Sequence, residues 1–166
     1  MTKQELVNLY QALQKVKNTP NAKFSYAVQK NLNMILPEIK ALDESQQPTE
    51  EFIKLQKDFE PKRIEIVEKH CKKGEDGKPL KKTMQINGKP VEIYDMAQEE
   101  QIKSNEECEE ALKAMNPKIY QERNDQLESY QSLLNDPIVL MFHKVPLSQV
   151  PENISTADIF PIVGED

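Results

Sequence analysis

The chain has 166 residues, of which 37% are hydrophobic and 30% charged, and it contains no tryptophan. This composition favours one domain, with an appended piece as the alternative, and a thin core shared along helices rather than one thick core. The net charge of −6 argues against sequence-independent nucleic-acid binding, in which lysines and arginines neutralise phosphates.

The N-terminal stretch, residues 1–16, is amphipathic and too polar to act as a signal peptide. No apolar run approaches the roughly 20 residues that a membrane-spanning helix needs. We therefore expect a cytosolic protein without a membrane partner.

An antiparallel pair of helices is predicted at the N-terminus. Thr2 and Glu5 have the spacing of a capping box, and the turn at residues 18–21 separates two apolar series. The first series comprises Leu6, Leu9, Tyr10, Leu13 and Val16. The second comprises Phe24, Val28, Leu32, Ile35, Ile39 and Leu42. Pro37 falls inside the second helix and is expected to kink it.

A third helix is predicted to begin after Thr49, a favourable N-cap, and to end near Lys73 and Gly74. One face of this helix carries Phe52, Leu55, Phe59, Arg63, Ile66 and His70. Pro61 lies in its interior, so whether it kinks or breaks the helix is left open.

A β-hairpin is predicted next, because the apolar period changes from helical spacing to alternation. Met84 and Ile86 precede Asn87-Gly88, and Val91 and Ile93 follow it. Asn-Gly between alternating segments is typical of a type I′ turn. A two-residue turn would place Met84 opposite Val91.

A long helix is predicted after the hairpin, with Asp95 as a candidate N-cap. Pro117 interrupts the pattern, which leaves either one bent helix or two helices with Asn116 capping the second.

The C-terminal part, residues 137–166, is predicted to hold a strand from Ile138 to Val145, an extended stretch and a short helix. Asn87-Gly88 marks the hairpin with which this strand would pair in an antiparallel sheet. Ser155 and Asp158 have the spacing of a second capping box, before a helix that carries Ile159 and Phe160.

The fold class is thus predicted as mainly α (α+β). Antiparallel helical hairpins, or an elongated bundle, would carry a small antiparallel β-sheet. Residues 1–136 would form the helical body, with the hairpin inserted at about 80–94, and residues 137–166 would form a tail of the same domain.

Metal and catalytic sites are not predicted. The candidate metal ligands are His70, Cys71, Cys108 and His143, and their spacing matches no metal-binding motif, so we expect them not to converge. The carboxylates from Asp95 to Glu110 lie in an acidic run, whereas a general acid needs burial to raise its pKa. We expect no enzyme and no cofactor.

The charges are segregated along the chain. Residues 69–82 contain six lysines against Glu75 and Asp76, and residues 95–110 contain seven acids against Lys103. We interpret the two runs as solvated faces that attract one another.

Short motifs spread over most of the chain, in the same order, resemble a family of small tailed-phage and prophage proteins of unknown function. They are residues 23–31, 37–42, 51–52, 72–79, 143–148 and 151–154. In that family the helices are continuous where this chain has Pro61 and Pro117. The resemblance implies a virus-encoded accessory or virion component and supplies no catalytic residues.

The function predicted is a non-enzymatic protein-interaction module of a bacteriophage, such as a virion, neck or tail-assembly component. One alternative is a small phage inhibitor of a host defence or nucleic-acid enzyme that uses an acidic helix, and another is an unrecognised enzyme. The partners would be phage or host proteins, with homo-oligomers an open alternative, in the host cytoplasm or the virion. The candidate interaction surface comprises Glu99, Glu100, Glu106, Glu107, Glu110, Ile154, Ile159 and Phe160.

Overall fold

The computed structural model of the protein describes residues 1–165. Asp166, the last residue of the predicted C-terminal segment, lies outside the described residues. The helices are α1 (Lys3–Val16), α2 (Ala22–Ser45), α3 (Glu50–His70), α4 (Gln98–Met115) and α5 (Pro117–Asn135). The strands are β1 (Lys81–Ile86), β2 (Lys89–Tyr94), β3 (Val145–Pro146) and β4 (Val163–Gly164). The prediction of a mainly α protein with a small antiparallel β-sheet is confirmed.

The chain divides into two compact units, and the division falls within α5. The N/C unit contains Met1–Gln47 and the residues from Gln126 onward, and the middle unit contains Pro48–Asp125. The two units have different internal organisation and are described separately.

The core of the N/C unit begins with the two predicted helices. The Thr2 side chain accepts a hydrogen bond from the Glu5 amide, and the Glu5 carboxylate accepts one from the Thr2 amide, so the predicted capping box is confirmed. Every residue of the apolar series predicted for α2 is buried, and Pro37 lies inside that helix. Leu6, Leu9 and Leu13 of α1 are buried in the same cluster.

The predicted C-terminal strand is wrong over most of its length. Only Val145–Pro146 forms a strand, and it pairs in parallel with Val163–Gly164 rather than with the hairpin. The reason is that Ile138, Leu140 and Phe142 pack directly against the apolar cluster of the helices. The Asn31 side chain also takes the main-chain hydrogen bonds of His143.

The predicted final helix is also wrong, because Phe160–Ile162 forms a single 3₁₀ turn. Ile159 and Ile162 are both buried, and a spacing of three residues brings them to one side of a 3₁₀ helix, which has about three residues per turn. The C-terminal segment therefore folds back on the helices of the N/C unit.

Ile162→Ala should lower the free energy of unfolding by about 2–5 kcal/mol, because it leaves a cavity in the core that α1 and α2 share. Phe160→Ala is the matched control, two residues away and 73% exposed, and should change it by no more than about 0.5 kcal/mol. Urea titration followed by circular dichroism measures both. Equal effects of the two substitutions would contradict a core role for the C-terminal segment.

In the middle unit, α3 begins at the predicted cap, Thr49, whose side chain accepts a hydrogen bond from the Phe52 amide. Pro61 lies inside the helix without ending it. The helix ends at His70, earlier than predicted, because Cys71 is extended and Lys72 joins a ladder of main-chain hydrogen bonds. In this ladder the Lys72 amide donates to Asp95, and the Leu80 amide donates to Lys72.

The predicted hairpin is confirmed, with Met84 opposite Val91. Asn87 and Gly88 have φ values of 52° and 75°, as a type I′ turn requires. The predicted Asp95 cap is wrong, since α4 begins after Ala97 without a side-chain cap. The long helix is two helices, and the Ile119 amide donates to the side chain of Asn116, 3.2 Å away.

Candidate functional site

The basic and acidic runs meet in the middle unit, as predicted. Lys69 Nζ lies 2.8 Å from a carboxylate oxygen of Glu107. The Asp95 carboxylate forms ion pairs with Lys72 Nζ, at 2.9 Å, and with Lys82 Nζ, at 3.3 Å. The Lys69 pair joins the end of α3 to the middle of α4, and the two pairs of Asp95 join the base of the hairpin to the segment that precedes α4.

His70 forms the centre of this contact. Its Nδ1 lies 2.8 Å from Glu100 Oε2 and its Nε2 lies 2.8 Å from Glu107 Oε2, and the side chain is 11% exposed. A carboxylate only accepts hydrogen bonds, so both contacts are hydrogen bonds only when both ring nitrogens carry a proton. We call His70, Glu100 and Glu107 the His70 clamp.

The pKa values in the clamp are displaced by these contacts. Two hydrogen bonds raise the pKa of His70 above its ordinary value, and the bond to Glu100 has a larger effect than the bond to Glu107. The pKa of Glu100 is lowered most by the hydrogen bond from Lys103 and next by that from His70. The pKa of Glu107 is lowered most by the hydrogen bond from Lys69 and next by that from His70. Each shift favours the charged form of its group, which suits an ion-pair network that holds α4 on α3.

We expect the stability of the middle unit to depend on the charge of His70. Because the folded state raises the pKa of His70, the stabilisation is full below its ordinary value of about 6.5 and is lost as pH rises through the raised value. The stability difference between the wild type and His70→Gln should therefore shrink as pH rises above about 6.5. Chemical denaturation at several pH values measures this difference.

Lys69→Gln is the matched control, because it removes a cation from the same network and leaves His70 in place. Its stability deficit should depend much less on pH than that of His70→Gln. A deficit of His70→Gln that stays constant or grows with pH would show that His70 is not held as an imidazolium.

The four candidate metal ligands have different surroundings. His70 lies in the clamp, and the Cys71 thiol donates to the Glu68 carbonyl at 3.1 Å. Cys108 is a free cysteine of α4 whose pKa is raised, mainly by burial, and His143 belongs to the N/C unit. Within residues 1–165, no three His, Cys, Asp or Glu side chains are grouped so that they could hold a metal ion.

The five acids of the predicted interaction surface fall into two groups. Glu100 and Glu107 face α3 and are paired in the clamp. Glu99, Glu106 and Glu110 are exposed, and no side chain within residues 1–165 forms a hydrogen bond or ion pair with them. The outward face of α4 therefore keeps its acidic character.

The three apolar residues of the predicted surface lie along a groove in the N/C unit. The groove has a volume of about 1210 Å³ and runs between α1 and two C-terminal stretches, residues 138–144 and 153–161. Ile154 is half-buried and Phe160 is exposed on its rim. Ile159, at 1% exposure, belongs to the core beneath the groove.

One wall of the groove is formed by the segment from Ile138 to Phe142, which was predicted to be part of a paired strand. Side chains alternate between half-buried and exposed from Ile138 to Phe142. Val139 and Met141 point outward and are 92% and 89% exposed. Within residues 1–165, the main chain of residues 139–142 forms no hydrogen bond to another backbone group. The segment thus presents an apolar face and unpaired main-chain groups.

Asn31 fixes the end of this segment and was missed by the sequence reasoning. Its side-chain amide accepts from the His143 amide at 2.8 Å and donates to the His143 carbonyl at 2.9 Å. Asn31 is fully buried, on the same side of α2 as Val28 and Ile35. A polar residue at the helical spacing of an apolar stripe was the available signal.

Asn31→Leu should lower the free energy of unfolding by about 1–3 kcal/mol, because the main-chain groups of His143 lose their partner. Hydrogen exchange at the His143 amide should accelerate. Asn33→Leu is the control, since Asn33 is an exposed residue of the same helix whose side chain, within residues 1–165, pairs with Gln29 alone. Unchanged exchange at His143 in the Asn31 variant would contradict the anchoring role.

No helix within residues 1–165 combines the length and the apolar character that crossing a bilayer requires. Comparisons of the chain with protein-family models, with curated proteins and with solved structures found no match.

Proposed function

We propose that the chain is a non-enzymatic protein-interaction module of a tailed bacteriophage, acting as a virion, neck or tail-assembly component. The occupant of its groove would be an extended segment of another phage protein. The phage origin is supported by the sequence motifs, among them residues 72–79 and 143–148. The interaction role is supported by the geometry of the N/C unit.

The observation that carries the proposal is the segment from Ile138 to Phe142. An extended chain can add to such a segment through main-chain hydrogen bonds, while side-chain contacts give specificity. Val139 and Met141 offer an apolar contact face beside the unpaired main chain. Exposed apolar side chains beside a groove are typical of protein-interaction sites.

The electrostatics of the middle unit support a non-enzymatic role. Lysines and His70 lower the pKa values of Asp95, Glu100 and Glu107, which opposes the raised value that a general acid needs. Burial raises the pKa of Cys108, which lowers the fraction of nucleophilic thiolate. These shifts are those of structural ion pairs and a semi-buried thiol.

The test is incorporation into phage particles. A phage that lacks the gene is complemented with the wild type or with the double variant Val139→Asp and Met141→Asp, and purified particles are analysed by quantitative mass spectrometry. We expect the wild type in the particles and at least about a tenfold loss of the variant, because two carboxylates on the apolar face oppose docking.

The control is the double variant Gln131→Asp and Ser132→Asp, which adds the same charge to exposed positions of α5. It should be incorporated like the wild type. If the phage assembles without the gene, and the particles made after complementation do not contain the wild-type protein, the virion proposal fails. Normal incorporation of the Val139 and Met141 variant would show that the groove is not the docking site.

The alternative, a nucleic-acid mimic that occupies a cationic groove of a host enzyme, is less well supported. Two of the five acids on which it depends, Glu100 and Glu107, are neutralised by Lys103, Lys69 and His70. The three remaining acids give a much weaker negative surface than the sequence indicated.

A further inference from the structure

The β1–β2 ribbon of the middle unit has one apolar face that the unit leaves uncovered. Met84, Ile86 and Val91 alternate onto this face, and each remains exposed. All of β1 is exposed, and only the last two residues of β2 are partly covered. A two-stranded ribbon is marginal in water unless it packs on something.

The base of the ribbon is held firmly, so the face has a fixed position on its unit. The Asp95 amide donates to the Leu80 carbonyl at 2.8 Å, and the Asp95 carboxylate pairs with Lys82. On the opposite face, Lys81 lies 5.4 Å from the centre of the Tyr94 ring, whose hydroxyl donates to Glu68.

The ribbon is basic in an acidic protein. Between Lys81 and Tyr94 the chain has three lysines and a single acid, Glu92, although its net charge is −6. Lys89 lies on the apolar face, opposite Ile86. The complementary surface is therefore acidic, with an apolar centre.

The outward face of α4 has this chemistry. Ile102 is 52% exposed, although it is a large apolar residue on a helix surface. Glu99 lies three residues before it, Glu106 four residues after it, and Glu110 a further turn on, so all four share one side of the helix. As described above, these three acids have no side-chain partner within residues 1–165.

We propose that the ribbon face of one copy docks on the Glu99–Glu110 face of α4 in a second copy. Met84 and Val91 would cover Ile102, while Lys89 would meet the unpaired glutamates. The contact joins two different surfaces, so the product is either a reciprocal dimer, in which each ribbon docks on the helix of the other copy, or a ring or filament of more copies. This contact does not use the groove of the N/C unit, so either proposal can fail without the other.

The test is sedimentation velocity of the full chain over a dilution series at low and at high salt. We expect concentration-dependent association that weakens as salt rises, because screening reduces the attraction between lysines and glutamates. Lys89→Glu and Glu106→Lys should each weaken association by about tenfold or more, since each places like charges opposite one another. An equimolar mixture of the two variants should recover it, because the reversed ribbon then meets the reversed helix.

Two further charge reversals at exposed positions of the N/C unit serve as controls, with circular dichroism to verify the fold of every variant. Lys40→Glu and Glu128→Lys change the net charge as the two test variants do, and each should associate like the wild type. A wild type that stays monomeric at millimolar concentration would overturn the proposal. Association that resists both test variants, or a mixture that does not recover it, would also overturn the proposal.

Discussion

Two amphipathic helices present apolar stripes that they cannot cover by packing on each other alone. In the N/C unit this constraint is met by the far end of the chain, because Val145, Ile159 and Ile162 are buried in the same cluster as Leu13 and Phe24. The C-terminal segment is therefore part of the core of α1 and α2. The groove exists because this segment packs along the helices as an irregular chain rather than as a third helix.

The same constraint explains why one segment is apolar on both sides. Ile138, Leu140 and Phe142 are drawn toward the helices, and the alternation of an extended chain then turns Val139 and Met141 outward. Pairing with another strand of the chain would have given the main-chain groups of this segment hydrogen-bond partners. Instead the buried amide of Asn31 satisfies one end of the segment, at His143, and leaves the middle unpaired.

The sequence predicted several features whose determinants are local. The Thr2 and Glu5 capping box, the apolar stripes and the Asn87-Gly88 turn each depend on residues within a few positions of one another. Sequence reasoning failed for the strand Ile138–Val145 and for the final helix, where distant residues decide the conformation: α1 and α2 compete with the hairpin for the apolar side chains. The sequence also did not show which acids of α4 are paired and which are free of side-chain partners within residues 1–165. The spacing of seven residues between Glu100 and Glu107 does place both on one side of the helix.

Both units bury apolar side chains, among them Phe52, Leu55 and Phe59 in α3, but their exposed surfaces differ in character. Burial of apolar side chains organises the N/C unit, so an apolar face such as that of Val139 and Met141 keeps its attraction for a partner as ionic strength rises. In the middle unit, ion pairs at Asp95 and in the His70 clamp position both the ribbon and α4. Contacts made through the ribbon or α4 are therefore tied to salt and to the charge of His70, whereas contacts made through the groove are not. Sensitivity to ionic strength and pH thus distinguishes which of the two surfaces a given partner uses.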